Sequence, residues 1–235
     1  TNPYLNIFDL ARLRDIAKRH SVLTLIDSTF STPYNQRPIE YGIDLVLQSA
    51  TKYLAGHNDI LAGAVLGRKE LIDPIRALHK IMGGILDPHS CYLLIRGLKT
   101  FPLRMQRQNE STLEIARFLE AHPRIKRVYY PFLKSHPHYE IAISQMSGGG
   151  GVVSFEIDGD LETAKRFLDR LELCYIGPSL GGVETLITHP ALVSYYDFSP
   201  EARMALGISD TLFRLAVGIE DYQDIIDDLE HGLKQ

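Results

Sequence analysis

The sequence predicts an α/β layer followed by a smaller α+β domain, and three observations carry that prediction. The apolar runs Val22-Leu-Thr-Leu-Ile26 and Asp44-Leu-Val-Leu47 are nearly continuous, as in strands buried on both faces. They are separated by helical periods and not by tight Asn-Gly turns, so the sheet is expected to be mostly parallel. Past a long helical region ending near Ala121 the rhythm changes, with helices whose single apolar stripe can cover one face of a sheet. The boundary is placed near residue 110, giving segments 1–110 and 111–235.

In chain order, Leu10, Leu13, Ile16 and Ala17 share one face of a helix over 9–20 that Asp9 can cap. A strand over 22–26, a Thr/Pro/Asn loop, a short helix at 37–41 and strands over 44–49 and 62–66 follow. A long helix runs from about 100 to Ala121; Ser111 and Glu114 have capping-box spacing but fit the interior of one continuous helix as well. The second half reads as strands over 124–130 and 151–157, a helix over 161–171, strands over 173–176 and 213–218, and a helix over 221–233. Leu161, Ala164, Phe167, Leu168 and Leu171 keep the helical period, as do Tyr222, Ile225, Ile226 and Leu229. Gly148 to Gly151 supply backbone freedom before a strand and lack the spacing and the following helix of a phosphate loop.

Composition narrows the function. The 235 residues carry 25 Lys+Arg against 29 Asp+Glu, a formal charge of -4, with 45% apolar and 23% charged residues. These values sit near the average for globular proteins and disfavour disorder or a nucleic-acid role. The longest uncharged stretch, Ile141 to Phe155, contains four glycines and falls short of the roughly 18 apolar residues a membrane helix needs. Cys91 and Cys174 cannot make a disulfide framework, which suits a reducing, cytoplasmic compartment. His136 and His138 show no metal-ligand spacing and read as surface residues, and no metal site is expected. The acidic run Glu220, Asp221, Asp224, Asp227 and Asp228 reads as helix capping plus a solvated face. The chain opens on Thr1-Asn-Pro-Tyr with no targeting leader in view, and is expected to be the C-terminal part of a longer protein.

The chemistry concentrates between Leu25 and Gly63, where each functional group follows the end of an apolar strand. In an open α/β sheet the crevice beyond the carboxyl ends of the strands binds ligands, so Asp27 and Lys52 can face one pocket. Ser49 and Thr51 flank Lys52 with hydroxyls suited to a phosphate, and a desolvated lysine amine is suited to a Schiff base. An aldehyde cofactor carrying a phosphate fits that set. Taken singly, a lysine after a strand is usually solvated, Asp27 would cap a turn, and Arg214 would make an ion pair.

The blocks Ile26-Asp27-Ser-Thr-Phe-Ser-Thr-Pro33, Ser49-Ala-Thr-Lys52-Tyr, Gly56-His-Asn-Asp59, Arg96-Gly-Leu-Lys-Thr100, Ser179-Leu-Gly-Gly-Val-Glu184 and Gly207 to Asp221 occur in the order of one family. The chain resembles the Cys/Met-metabolism enzymes that use pyridoxal 5'-phosphate (PLP), the cystathionine γ-synthase and γ-lyase group, over essentially its whole length. The resemblance implies the PLP-dependent transferase fold (aspartate-aminotransferase-like, fold type I), here the C-terminal part of the large cofactor domain plus the smaller C-terminal domain. It implies Lys52 as the catalytic Schiff-base lysine, Asp27 as partner of the pyridine nitrogen, and Ser49 and Thr51 as phosphate ligands. Arg214 and Ser179 are implied as the grip on the substrate carboxylate, while His57, Asn58 and Asp59 read as a structural loop near the cofactor. Small amino-acid substrates and a homotetramer with shared active sites are implied too, with no nucleic-acid or membrane partner.

Within the group, Asn58, Gly177-Pro-Ser179 and Val193-Ser-Tyr-Tyr-Asp-Phe-Ser199 resemble plant-type γ-synthases more than methionine γ-lyases, which would also allow a plastid location. Pro178 replaces the Glu that bacterial γ-synthases and animal-type γ-lyases place before the Ser-Leu-Gly block. The expectation is therefore γ-replacement on an O-activated homoserine with cysteine, the alternatives being γ- or β-elimination, sulfide addition, or a non-catalytic interaction module. A nicotinamide-dinucleotide enzyme is disfavoured because no Gly-x-Gly-x-x-Gly is present.

Overall fold

A computed structural model describes residues 1–234. The first helix, α1 (Leu10–Arg19), starts at Asp9, whose carboxylate accepts from the Arg12 N–H, and buries Leu10 and Ala17. Then come β1 (Leu25–Asp27), α2 (Thr32–Asn35), a 3-10 turn at Pro38–Tyr41, β2 (Leu45–Ser49) and β3 (Gly63–Gly67). Two helices, α3 (Lys69–Met82) and α4 (Pro88–Leu98), lead into the 21-residue α5 (Phe101–Ala121). Ser111 and Glu114 lie inside α5, so the chain does not restart a helix there, and residue 110 falls within the same helix.

The three strands form one sheet in the order β1-β2-β3. The pair β1 and β2 is parallel, but β2 and β3 are antiparallel, so the expected mostly parallel sheet is corrected. The physical reason is the connection: residues 50–62 carry turns and no helix, and a parallel return needs a crossover, usually a helical one. The first strand also starts later than predicted, because Thr24 pairs with the Asp44 carboxylate through its N–H and its hydroxyl, both at 2.9 Å, before the ladder begins at Leu25.

The second half contains β4 (Ile125–Tyr129), α6 (Tyr139–Gln145), β5 (Val152–Ile157), α7 (Leu161–Asp169), β6 (Tyr175–Ile176), β7 (Leu186–Thr188), α8 (Pro200–Ala205), β8 (Leu212–Ala216) and α9 (Tyr222–Leu233). Its sheet order is β4-β5-β8-β7-β6. Ile115 and Leu119 of α5, Phe167 of α7, and Ile225 and Leu229 of α9 cover one face, meeting Phe155 and Phe213. The Phe167 and Phe213 rings lie 4.9 Å apart edge to face.

The other face of this sheet positions the site. Side chains alternate along a strand, so Phe213 and Leu215 of β8 enter the aromatic core while Leu212, Arg214 and Ala216 point away from it. There Ala216 and Val152 pack with Tyr53, Met105 and Leu180, joining the second sheet to the segment after Lys52.

Candidate active site

Asp27 and Ser49 end two neighbouring parallel strands, with Asp27 in register with Leu47, so both side chains emerge at one edge of the first sheet. The loops beyond are tied together: Thr29 Oγ1 accepts the Ser49 N–H at 2.8 Å, and Asp27 Oδ1 accepts the Thr29 N–H at 2.9 Å. Ser49 Oγ has no hydrogen-bond partner among the described residues. The Thr51 hydroxyl is committed to Ala62, donating to its carbonyl at 3.2 Å and accepting its N–H at 2.8 Å. Asp27 also lines a cavity of about 380 Å³ with Ser28, Phe30, Gly149 and Gly150. Lys52 does not line that cavity, and no hydrogen bond or ion pair joins it to Asp27 among the described residues.

Lys52 meets the loop between β6 and β7 instead. Its Nζ donates to Ser179 Oγ at 2.8 Å. Arg214, 6% exposed, donates from Nη2 to the carbonyls of Pro178 at 2.6 Å and Ser179 at 3.1 Å, and from Nη1 to Asn2 Oδ1 at 3.2 Å. Its Nε is buried without a partner among the described residues. Three of the residues singled out from sequence are thus one connected group, with Ser179 bridging the amine and the guanidinium. Partial burial holds the Lys52 amine below the ordinary lysine pKa, and the Arg214 charge acts in the same direction. Burial lowers the pKa of Arg214 as well.

The approach of the two loops depends on Gly181. Its φ of +80° lies in the left-handed region, and a Cβ there would stand 2.6 Å from the Tyr53 N. The Gly56-His-Asn-Asp59 loop is tied in by Asn58 Nδ2, which donates to Glu184 Oε2 at 2.9 Å.

Sequence reasoning missed Arg104 and Gln108 of α5, whose side chains pin the backbone on either side of the Lys52 to Ser179 contact. The available signal was polar residues one helical turn apart in a stripe with Phe101 and Met105. Two other expectations are corrected. His136 is 4% exposed and not a surface residue: its ring packs 5.7 Å from that of His138, and its Nδ1 accepts the His138 N–H at 3.2 Å. Asp228 is not on a solvated face: its carboxylate accepts the N–H groups of Glu172, Leu173 and Cys174 at 2.8, 3.1 and 2.9 Å. Among the described residues no group of three or more His, Cys, Asp or Glu could hold a metal, and no helix is long and apolar enough to cross a membrane.

A lysine amine made easier to deprotonate, just beyond a parallel strand pair of an α/β fold, has the chemistry suited to attack on a carbonyl. Comparison with known proteins gives the family. The family model described as "Cys/Met metabolism PLP-dependent enzyme" matches residues 1–234. A chloroplastic cystathionine gamma-synthase 1 of Arabidopsis thaliana is 48% identical over 234 residues, covering 100% of this chain and 42% of its own length. An L-methionine gamma-lyase of Fusobacterium nucleatum is 47% identical, covering 100% of this chain and 60% of its own. A crystal structure of cystathionine gamma synthase from Xanthomonas oryzae, in complex with aminoacrylate and cysteine, superposes with a TM-score of 0.95 at 40% identity, over 99% of this chain and 60% of that one. The chain belongs to the Cys/Met metabolism PLP-dependent enzyme family. It spans less than two thirds of the length of these relatives.

Proposed function

We propose that the chain forms part of an enzyme of sulfur amino-acid metabolism that performs γ-replacement in the manner of a cystathionine γ-synthase, joining an O-activated homoserine to cysteine. The observation that carries this reading is the 2.8 Å contact between Lys52 Nζ and Ser179 Oγ, with Arg214 holding the Ser179 backbone. The residues present suit PLP. Lys52 is the amine that would hold its aldehyde, and Asp27 keeps Oδ2 free for a protonated ring nitrogen. Ser49 Oγ, unpartnered among the described residues, would donate to the phosphate, and Thr51 would join it by giving up its Ala62 contact. When bound, the cofactor supplies an electron sink for negative charge developing at the substrate Cα.

The chain's own groups do the rest. Lys52 Nζ, positioned by Ser179, takes the proton from Cα and moves protons at Cβ, work for which a lowered amine pKa is suited. Arg214 is assigned to the substrate carboxylate, with Ser179 as second contact, because a planar guanidinium matches a carboxylate with two parallel bonds. Elimination by a γ- or β-lyase is the second reading, favoured by the near-equal identity to the methionine γ-lyase.

We assign residues 1–110 to the C-terminal part of the cofactor-binding α/β domain and 111–235 to the smaller C-terminal α+β domain. A homotetramer acting on small amino acids is consistent with the exposed Ile81, Met82, Ile85, Tyr92 and Ile95 of the α3 to α4 region. The unbridged Cys91 and Cys174 suit the cytoplasm, or the plastid suggested by the name of the chloroplastic relative.

The experiment is the visible spectrum of the protein with added PLP, before and after borohydride, with mass mapping of the adduct. The label is expected on Lys52, and Lys52→Ala should abolish it together with turnover while leaving the fold intact. A label on a different lysine, or turnover retained in Lys52→Ala, would refute the assignment.

A further inference from the structure

One face of α5 carries polar side chains in a stripe that enters the protein interior. Arg104, Gln108, Ser111 and Thr112 fall at i, i+4, i+7 and i+8 and are all buried. Arg104, 4% exposed, has no carboxylate partner among the described residues. Its guanidinium donates instead to the carbonyls of Tyr53 at 2.8 Å, Gly97 at 2.9 Å and Leu54 at 3.4 Å, and its Nε to Thr100 Oγ1 at 3.2 Å. Gln108, fully buried, donates from Nε2 to Gly182 O at 2.9 Å and Val217 O at 3.0 Å. A buried cation without an acid is costly, and filling space alone would be served by Leu or Met. Packing therefore does not account for the choice of side chains.

The partners of the two residues lie on opposite sides of one contact. Tyr53 and Leu54 follow Lys52 directly, and Gly182 shares the turn that begins at Ser179. Between these two pinned segments stands the Lys52 to Ser179 hydrogen bond, with Gly181 pressed against the Tyr53 backbone. Gly56, at φ +75°, leaves Arg104 its space, since a Cβ there would stand 2.0 Å from the guanidinium. A single rigid helix thus holds both loops through side chains one turn apart.

We propose that Arg104 and Gln108 are paired positioning residues, which fix the Lys52 loop and the Ser179 turn at one separation and so set how Lys52 Nζ meets Ser179 Oγ. The functional meaning rests on the reading of Lys52 as the nucleophile, but the geometry and its test need no cofactor. Arg104 faces carbonyls, the Thr100 hydroxyl and the Phe101 ring, none of them ionised, and Arg214 is the charged group that acts on the Lys52 amine. Releasing either loop lets water reach that amine and carries it towards an ordinary lysine.

The test is the pH dependence of Lys52 acetylation by acetic anhydride in the cofactor-free protein, read by peptide mass mapping. Variants are Arg104→Met, Gln108→Leu, the double variant and Arg104→Lys, with thermal unfolding measured alongside. The midpoint for Lys52 should rise in both single variants, enough for about three- to tenfold less free amine at a fixed pH. The double variant should show less than the sum, because both act on one contact, and Arg104→Lys should restore part of the effect. Folded variants that melt lower while the Lys52 midpoint stays put would overturn the proposal and leave Arg104 and Gln108 as stabilising residues. If Arg104→Met fails to fold, Gln108→Leu, uncharged and similar in volume, decides the matter alone. Absence of a PLP adduct on the wild-type protein would sink the proposed function without touching this titration.

Discussion

Acidification from pH 7 to pH 4 should cost the fold roughly 3 kcal/mol through His136 alone. The ring is 4% exposed, its Nδ1 accepts the His138 N–H at 3.2 Å, and its Nε2 makes no well-formed hydrogen bond among the described residues. Burial pushes its pKa down to about 4 against the opposing pull of the Tyr4 backbone, and His138, the chain's first amine and Arg127 act in the same direction as burial. An unfolded histidine titrates near 6.5. Between those two values the unfolded chain binds more protons than the folded one, so stability rises with pH through the window and levels off above it. At about 1.4 kcal/mol per pH unit, that gap gives the stated magnitude.

The assay is urea unfolding at pH 7 and pH 4 for the wild type and His136→Asn, in which the amide oxygen can take over acceptance of the His138 N–H. The variant should lose about 3 kcal/mol less than the wild type on acidification. His189 works in the same sense: its Nε2–H donates to Asp210 O at 2.9 Å, its Nδ1 is buried without a partner among the described residues, and burial lowers its pKa. Because His189 is present in both proteins, it cancels in the comparison. Equal pH dependence of the two proteins would refute the role given to His136.

Arg214→Lys should weaken substrate capture in the assembled enzyme, because a point ammonium cannot span Pro178, Ser179 and Asn2. Loss of one charged hydrogen bond corresponds to a KM raised about 10- to 100-fold with a smaller change in kcat, and a larger defect in PLP binding than in KM would count against the carboxylate role. Asp228→Ala should destabilise by roughly 2–4 kcal/mol in urea unfolding, since three N–H groups lose one acceptor. A loss under about 0.5 kcal/mol, the range of an ordinary surface substitution, would mean those bonds contribute little.

What was legible in the sequence followed from periodicity. Lys52 and Ser49 stand out because each lies at or just past the end of an apolar strand, and Arg214 because it interrupts the run Leu212 to Ala216. The helices over Lys69–Met82 and Pro88–Leu98 were not legible, as many of their apolar residues face outward: Ile81 is 84% exposed and Tyr92 59%. A hydrophobic period normally reports burial against the same chain, and here that inference has no partner surface to rest on. The antiparallel β3 escaped for a different reason, since its strand reads the same in either direction and only the helix-free loop before it sets the pairing.

The remaining residues were hidden by chemistry and not by pattern. Asp228 sits in an acidic run that looks solvated, yet it adjoins the buried Leu229 and lies three positions after the buried Ile225. Arg104 shares its buried stripe with Phe101 and Met105, and Arg214 lies on the strand face of Leu212 and Ala216. In all three cases a polar group occupies a position whose phase calls for an apolar one. Burial of such a group is costly unless most of its bonds are made, and the bonds reach backbone that no neighbouring residue in sequence could fix: Glu172 to Cys174, Tyr53 with Leu54, and Pro178 with Ser179. Two of these three segments flank the Lys52 to Ser179 contact. The site geometry is therefore set by the departures from the hydrophobic pattern, and an apolar substitution at Arg104 or Arg214 would keep the pattern of the fold while removing what aligns the site.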